Sequence, residues 1–114
     1  MYCVLRRGDQ PRGGLADVAF EGEAFGSDVS LFLGELPPGR GPALHKHPYS
    51  ETCLVQAGQA AMTVDGEDVV VSAGDIVVIG AETPHGFTAV GDETLKMVCI
   101  HASKLFVIDW LSGR

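Results

Sequence analysis

The chain has no basic cluster larger than Arg6-Arg7 and no Cys-x-x-Cys pair. Its apolar runs fall far short of the ~18 residues that a membrane-spanning helix needs. Each gap removes a class of function. With 8 Lys+Arg against 15 Asp+Glu, the formal charge of −7 offers no electrostatic footprint for nucleic acid or for an anionic membrane surface. Three cysteines, an odd number, read as reduced thiols rather than a disulfide framework, and a cytoplasmic protein is expected. The stretch Met1 to Arg7 carries its charges after its apolar residues and shows no cleavage pattern, so it is not expected to be a signal peptide. Helical periodicity, internal repeats, linkers and low-complexity tracts are missing as well.

What is present in excess is turn chemistry. Fifteen glycines and six prolines in 114 residues imply many turns between short strands, while 46% apolar and 20% charged residues are ordinary globular proportions. One all-β domain over residues 1–114 is expected, long enough to bury a single core without staples. Residues 2–7 suggest a first short strand and Val18-Ala19-Phe20 a fragment of another. Val29 to Leu36 is a stronger strand, closed by Pro37-Pro38-Gly39. Gln59 to Asp65 and Asp68 to Ser72 flank Asp65-Gly66, two residues that tolerate the positive φ of a type I′ hairpin turn. Ile76 to Ile79 reads as a buried strand between turns at Gly74-Asp75 and Gly80 to Pro84. His85 to Val90 and Glu93 to His101 follow, and Phe106 to Leu111 fits either a last strand or one helical turn. About ten short strands at regular spacing read as a sandwich or barrel.

The chemistry concentrates between Gly39 and Gly58. Alternate side chains of an extended strand share a face, so His45 and His47 project together. Pro48 has no ladder N–H, and pairing should break there into a tight turn. Glu51 then opens the apolar run Thr52-Cys53-Leu54-Val55, from where it can face back toward the imidazoles. Two neutral imidazoles and a carboxylate suit a borderline divalent metal. A further ligand must come from the two remaining histidines. His85, at the mouth of a strand directly after a turn, is well placed.

This arrangement resembles the cupins, small β-barrel proteins whose first motif reads G-x5-H-x-H-x3-E-x6-G. Gly39, His45, His47, Glu51 and Gly58 match it without departure. Of the second motif, G-x5-P-x-G-x2-H-x3-N, Gly74 and His85 match, whereas Gly80, Glu82 and Ala89 stand in place of Pro, Gly and Asn. The motifs occupy residues 39–58 and 74–89. The resemblance implies a cupin double-stranded β-helix, a jelly-roll-like antiparallel barrel. It implies one divalent metal ion (Fe, Mn, Ni, Co or Zn) held by His45, His47, Glu51 and His85. A homodimer is implied too, with residues 2–7 packed on the neighbouring chain. The activity implied is that of an enzyme on a small, oxygenated, metal-chelating substrate, either a dioxygenase or a non-redox isomerase or lyase. A non-catalytic small-molecule or metal sensor is the alternative. Zinc with four protein ligands closes its tetrahedron and is structural. An octahedral ion keeps two adjacent positions for substrate, the case the resemblance implies.

Two residues are candidates for catalytic work. Glu51 is a candidate to detach and act as a base, against the plainer reading of a rim salt-bridge partner. His101 shares strand parity with Leu95, Met97 and Cys99, while Lys96 takes the solvent face. It is either a base or substrate partner in the cavity or a buried structural histidine. Cys53 falls on the ligand face, as pocket lining or as a small buried hydrophobe. Phe32, Met62, Phe87 and Met97 are apolar-wall or core residues, and Tyr49 lies between the ligands where a substrate could be reached. Trp110 reads as a packing or dimer residue rather than part of the site. Ligand histidines bind only when neutral, so metal affinity should fall below about pH 6.5.

Overall fold

Period-two alternation decides what each strand buries. It is cleanest in Leu95–His101, where Leu95, Met97, Cys99 and His101 are buried and the residues between them are not. A computed structural model describes residues 1–13 and 17–112, and ten strands carry the fold among the described residues. They are β1 (Val18–Phe20), β2 (Ser30–Leu36), β3 (His45–Lys46), β4 (Glu51–Ala57) and β5 (Gln59–Val64). β6 (Glu67–Ser72), β7 (Ile76–Ile79), β8 (His85–Val90), β9 (Leu95–His101) and β10 (Asp109–Trp110) complete the order. They form two antiparallel five-stranded sheets, β1-β2-β9-β4-β7 and β10-β3-β8-β5-β6. The all-β expectation holds, as does the double-stranded β-helix architecture.

The core lies between the sheets. Leu36, Cys53, Val55, Ile79, Leu95, Met97 and Cys99 come from the first sheet, and Ala60, Met62, Val71 and Ala89 from the second. Chain neighbours β5 and β6 pair through the Asp65-Gly66 turn, whose φ values of 52° and 80° fit the expected I′ geometry. Strand β2 instead pairs with the distant β9 from Ser30↔His101 to Leu36↔Leu95, and β9 pairs on its other side with β4. This long-range pairing brings Glu51 directly opposite His101. In the second sheet the same logic sets His45 opposite both His85 and Trp110. Two histidine-bearing segments forty residues of sequence apart thus meet at one sheet end because antiparallel register puts them there.

Two expectations need correction, and one open alternative is decided. Residues 2–7 form no strand: Tyr2 and Val4 are exposed, and the segment leads into a single 3₁₀ turn at Arg7–Asp9 held by local bonds such as Asp9 N–H to the Arg6 carbonyl. A strand needs a ladder partner, and this segment has none among the described residues. Ile76–Ile79 is not a buried strand either. β7 ends its sheet, so Ile76 and Val78 on its outer face are 65% and 69% exposed and only Ile79 is fully buried. Phe106 to Leu111 resolves into the two-residue strand β10 rather than a helical turn. No helix among the described residues is long and apolar enough to cross a membrane.

The motif glycines Gly39, Gly58 and Gly74 all have positive φ, at 89°, 78° and 95°. Gly58 also lacks room: a Cβ there would lie 2.7 Å from the Thr94 carbonyl oxygen and 2.9 Å from Leu95 Cα. Both contacts are backbone, so no side chain can swing away. Gly58→Ala should therefore lower stability by about 2 kcal/mol or more. Gly34→Ala, where nothing lies within 4 Å of the added Cβ, should be neutral or slightly stabilising. Thermal or urea melts of the two variants check the contrast.

Candidate metal centre

Four donor residues converge at the end of the barrel. His45 opens β3 and His47 follows it, the strand ending at Lys46 ahead of Pro48 as expected. Glu51 opens β4 and His85 opens β8. One ligand atom from each lies within 4.8 Å of those of the other three, and all four residues are buried. A metal about 2.1 Å from each donor would put opposed donors ~4.2 Å apart, so the cluster has the right size.

The backbone sets the protonation of the rings. His45 Nδ1 lies 2.7 Å from the Ala43 carbonyl, His47 Nδ1 2.8 Å from that of Val107, and His85 Nδ1 2.9 Å from that of Thr83. A carbonyl only accepts, so in each ring Nδ1 carries the hydrogen and donates it. The neutral ring then presents Nε2 as a lone pair. Two of those Nε2 atoms crowd one carboxylate oxygen: Glu51 Oε1 is 3.2 Å from His47 Nε2 and 3.1 Å from His85 Nε2. His47 Nε2 is buried and makes no aligned hydrogen bond. Lone pairs facing a carboxylate at such distances call for a cation between them. The donor set fits a divalent ion.

His101 occupies the far side of the same carboxylate. Its Nε2 lies 3.2 Å from Glu51 Oε2, off hydrogen-bond alignment, and its Nδ1 is 2.7 Å from the Tyr49 hydroxyl. That hydroxyl accepts from Val107 N–H at 3.2 Å, so its own hydrogen goes to His101 Nδ1 and the ring proton of neutral His101 sits on Nε2. His101 therefore has the opposite tautomer to the three donor histidines, and it stands outside their four-atom set. The Cys53 thiol donates to Glu51 Oε2 at 3.4 Å and reaches a second close group with Cys99. The neighbouring Cys99 thiol, then burial, push the Cys53 thiol far up, so it remains protonated. Cys3, Cys53 and Cys99 are all free.

Electrostatics follow the contacts. Burial alone would raise Glu51, but the imidazoles of His101, His47 and His85 crowded against it outweigh burial and hold the carboxyl well below its usual range. Burial lowers His45 to about 4, with the Ala43 carbonyl opposing and the neighbouring His85 and His47 adding to the fall. At His85 burial also works downward, yet Glu51 and the Thr83 carbonyl win and the net shift is upward. Burial raises the Tyr49 hydroxyl.

The turn before His85 departs from the cupin motif in sequence, with Glu82 at the motif's glycine position. Glu82 keeps a φ of 63° where a glycine would be at ease, at a cost of about 1 kcal/mol for a residue with a Cβ. Its N–H donates to the His47 carbonyl at 2.7 Å, and Lys46 Nζ holds its carboxylate at 2.9 Å. Of the expected wall residues, Phe32, Met62 and Phe87 line the cavity, with Cys53, whereas Met97 belongs to the core. Trp110 was expected to pack or dimerise; instead its ring lies 5.0 Å from that of His45 and lines the cavity. Phe106, stacked on Phe32 at 4.0 Å and edge-on to His101, was missed, because no strand parity extends into that loop.

With this geometry in place, comparison with known proteins is decisive at the family level. The family described as a cupin domain matches residues 32–101. The chain belongs to the cupin family. An uncharacterised protein from Methanocaldococcus jannaschii is 36% identical over 75 residues, 65% of this chain and 60% of that protein. Among solved structures, an oxalate decarboxylase is 25% identical with a TM-score of 0.73, over 82% of this cupin but 27% of its own chain. An oxalate oxidase is 26% identical with a TM-score of 0.66, over 74% and 46% respectively. A double-stranded β-helix protein from Klebsiella pneumoniae, 22% identical with a TM-score of 0.76 over 96% and 92%, shares the fold. This cupin thus spans less than two thirds of the archaeal relative and of the two oxalate enzymes.

Metal affinity should fall as pH is lowered, beginning above the ordinary imidazole value of 6.5, because the Glu51-paired His85 holds its competing proton most tightly. The metal-free fold should lose stability in two stages. Between pH 6.5 and about 4 the unfolded His45 is protonated while the folded one resists, and below about 4.5 the unfolded Glu51 is protonated first. His85 contributes the other way, its share being complete below 6.5 and lost as pH rises. Mn(II) titrations and thermal melts from pH 4 to 8 check both.

Proposed function

We propose that this cupin is a mononuclear metal enzyme acting on a small, oxygenated, metal-chelating substrate. The observation that carries the reading is the shared tautomer of His45, His47 and His85, which frees Nε2 on all three rings, two of them within 3.2 Å of Glu51 Oε1, in a donor set that lies within 4.8 Å. His45, His47, Glu51 and His85 would hold the ion, which supplies Lewis-acid or one-electron chemistry when bound. The chain's own residues do the rest. The Nδ1 bonds to backbone carbonyls keep the donor rings oriented, and Phe32, Phe87 and Met62 keep water away from the reacting end of a bound molecule. Glu51 and His101 are the catalytic pair of this reading. Glu51 Oε2 is turned from the donor cluster toward the hydrogen-bearing Nε2 of His101, so the carboxylate can take a proton from substrate and His101 can donate one. Both oxygen-dependent cleavage and non-redox isomerisation or lysis are compatible with such a pair; the related oxalate enzymes support turnover over sensing.

Loading with Fe(II), Mn(II) or Ni(II) after chelation, followed by elemental analysis, is the direct test. One ion per chain is expected. Glu51→Gln and His85→Ala should weaken binding by more than the ~10–100-fold typical of losing an outer partner. His101→Leu should keep the ion and lower turnover by roughly 10²–10⁴-fold. Failure of all three metals to bind stoichiometrically defeats the reading, and saturable ligand binding without product, with and without O₂, favours a sensor.

A homodimer in the cytoplasm belongs to the same proposal. Three free thiols support the location. Support for pairing comes from the outer face of the first sheet, where Ile76, Val78, Leu54 and Ile100 are exposed on adjacent strands, and from the exposed Tyr2 and Val4. Light scattering should give twice the 12.0 kDa of one chain; a monomer mass rejects the dimer.

A further inference from the structure

Resting on the metal-centred reading above, we infer that the substrate carries at most one negative charge on its chelating end and a hydrophobic body behind it, rather than being a small dicarboxylate. The cavity wall carries this. The space measures about 470 Å³, enough for about fifteen waters at ~30 Å³ each. It falls within the ~300–1,000 Å³ of sites that bury drug-sized molecules. A two-carbon diacid would leave most of it unfilled.

The wall is also the wrong chemistry for a dianion. Beyond the donor cluster, His101 and the two buried thiols, the side chains facing the space are apolar. Phe32 and Leu36 come from β2, Met62 from β5, Phe87 from β8, and Ile108 and Trp110 from the C-terminal segment. No arginine or lysine lines it among the described residues. Lys46 stands on the parity opposite His45 and is engaged outward with Glu82. Three neutral imidazoles, one carboxylate and a divalent ion sum to a single positive charge. A monoanionic chelator balances that charge. A dianion leaves a net negative charge, and two oxygens beyond the ion, against walls that offer no cation. A flat or branched apolar group, by contrast, gains by leaving water for the Phe32 wall, a ring held in place by Phe106 stacked on it with centroids 4.0 Å apart.

Three bidentate oxygen ligands separate the wall from the ion: acetohydroxamate, benzohydroxamate and oxalate. Each is titrated into Mn(II)-loaded and metal-free protein, with the fluorescence of Trp110, the chain's one tryptophan, as readout. The two hydroxamates offer the same chelating group, so the ratio of their affinities reports the wall alone. Benzohydroxamate should bind the loaded protein on the order of tenfold tighter than acetohydroxamate or better, with oxalate weakest, and Phe32→Ala should narrow the ratio. If Phe32→Ala does not fold, the ligand series on the unaltered protein decides by itself. Equal binding of the two hydroxamates, or oxalate binding as tightly as benzohydroxamate, overturns the inference while leaving the metal site standing. Where Mn(II) does not load, Ni(II) and then anaerobic Fe(II) take its place, and failure of all three overturns the metal-centred reading instead. The metal-free titration then decides the wall, benzohydroxamate binding alone supporting it and no preference overturning it.

Discussion

Three hydrogen bonds from imidazole Nδ1 to backbone carbonyls underlie the centre of this molecule. A carbonyl can only accept, so the Ala43, Val107 and Thr83 oxygens dictate where each ring keeps its hydrogen. The choice propagates outward: Nε2 becomes the free donor, two of the donors face Glu51 Oε1, and the carboxylate is left with its other oxygen toward His101. Two of those carbonyls lie two residues before their own histidine, within the same tight turn. The third comes from Val107, sixty residues along, which ties the C-terminal segment to the metal-binding end. The polar geometry of the site is thus fixed by main chain, and side-chain packing only has to keep water out.

The fold and the donor set were legible because both rest on short-range regularities. Strand parity put Leu95, Met97, Cys99 and His101 on one face, and burial follows it. The His45–Glu51 spacing places its donors without reference to distant chain, and Asp65-Gly66 announces its own turn. What could not be read depended on partners. Residues 2–7 look like a strand in composition but find no edge to pair with. Ile76 and Val78 look buried, but lie on an outer strand whose exposed side composition cannot reveal. The positions of Trp110 and Phe106 beside the histidines come from the pairing of β10 with β3 and from a loop without periodicity.

His101 shows where a local rule stops. Parity turned it inward correctly, yet its relation to Glu51 comes from the β4–β9 register, and its tautomer from the Tyr49 hydroxyl, itself set by Val107 N–H. Four imidazoles surround one carboxylate, but they divide into three that present lone pairs and one that presents a hydrogen. Residue type alone would class them together; hydrogen-bond direction separates them.

The left-handed residue ahead of β8 has a mechanical meaning. With its amide anchored on the His47 carbonyl and its side chain on Lys46, Glu82 is a rivet between the two histidine-bearing loops. Segments far apart in sequence are thereby obliged to travel as one plate, so a displacement imposed on either loop is shared by the other instead of pulling the donor atoms apart.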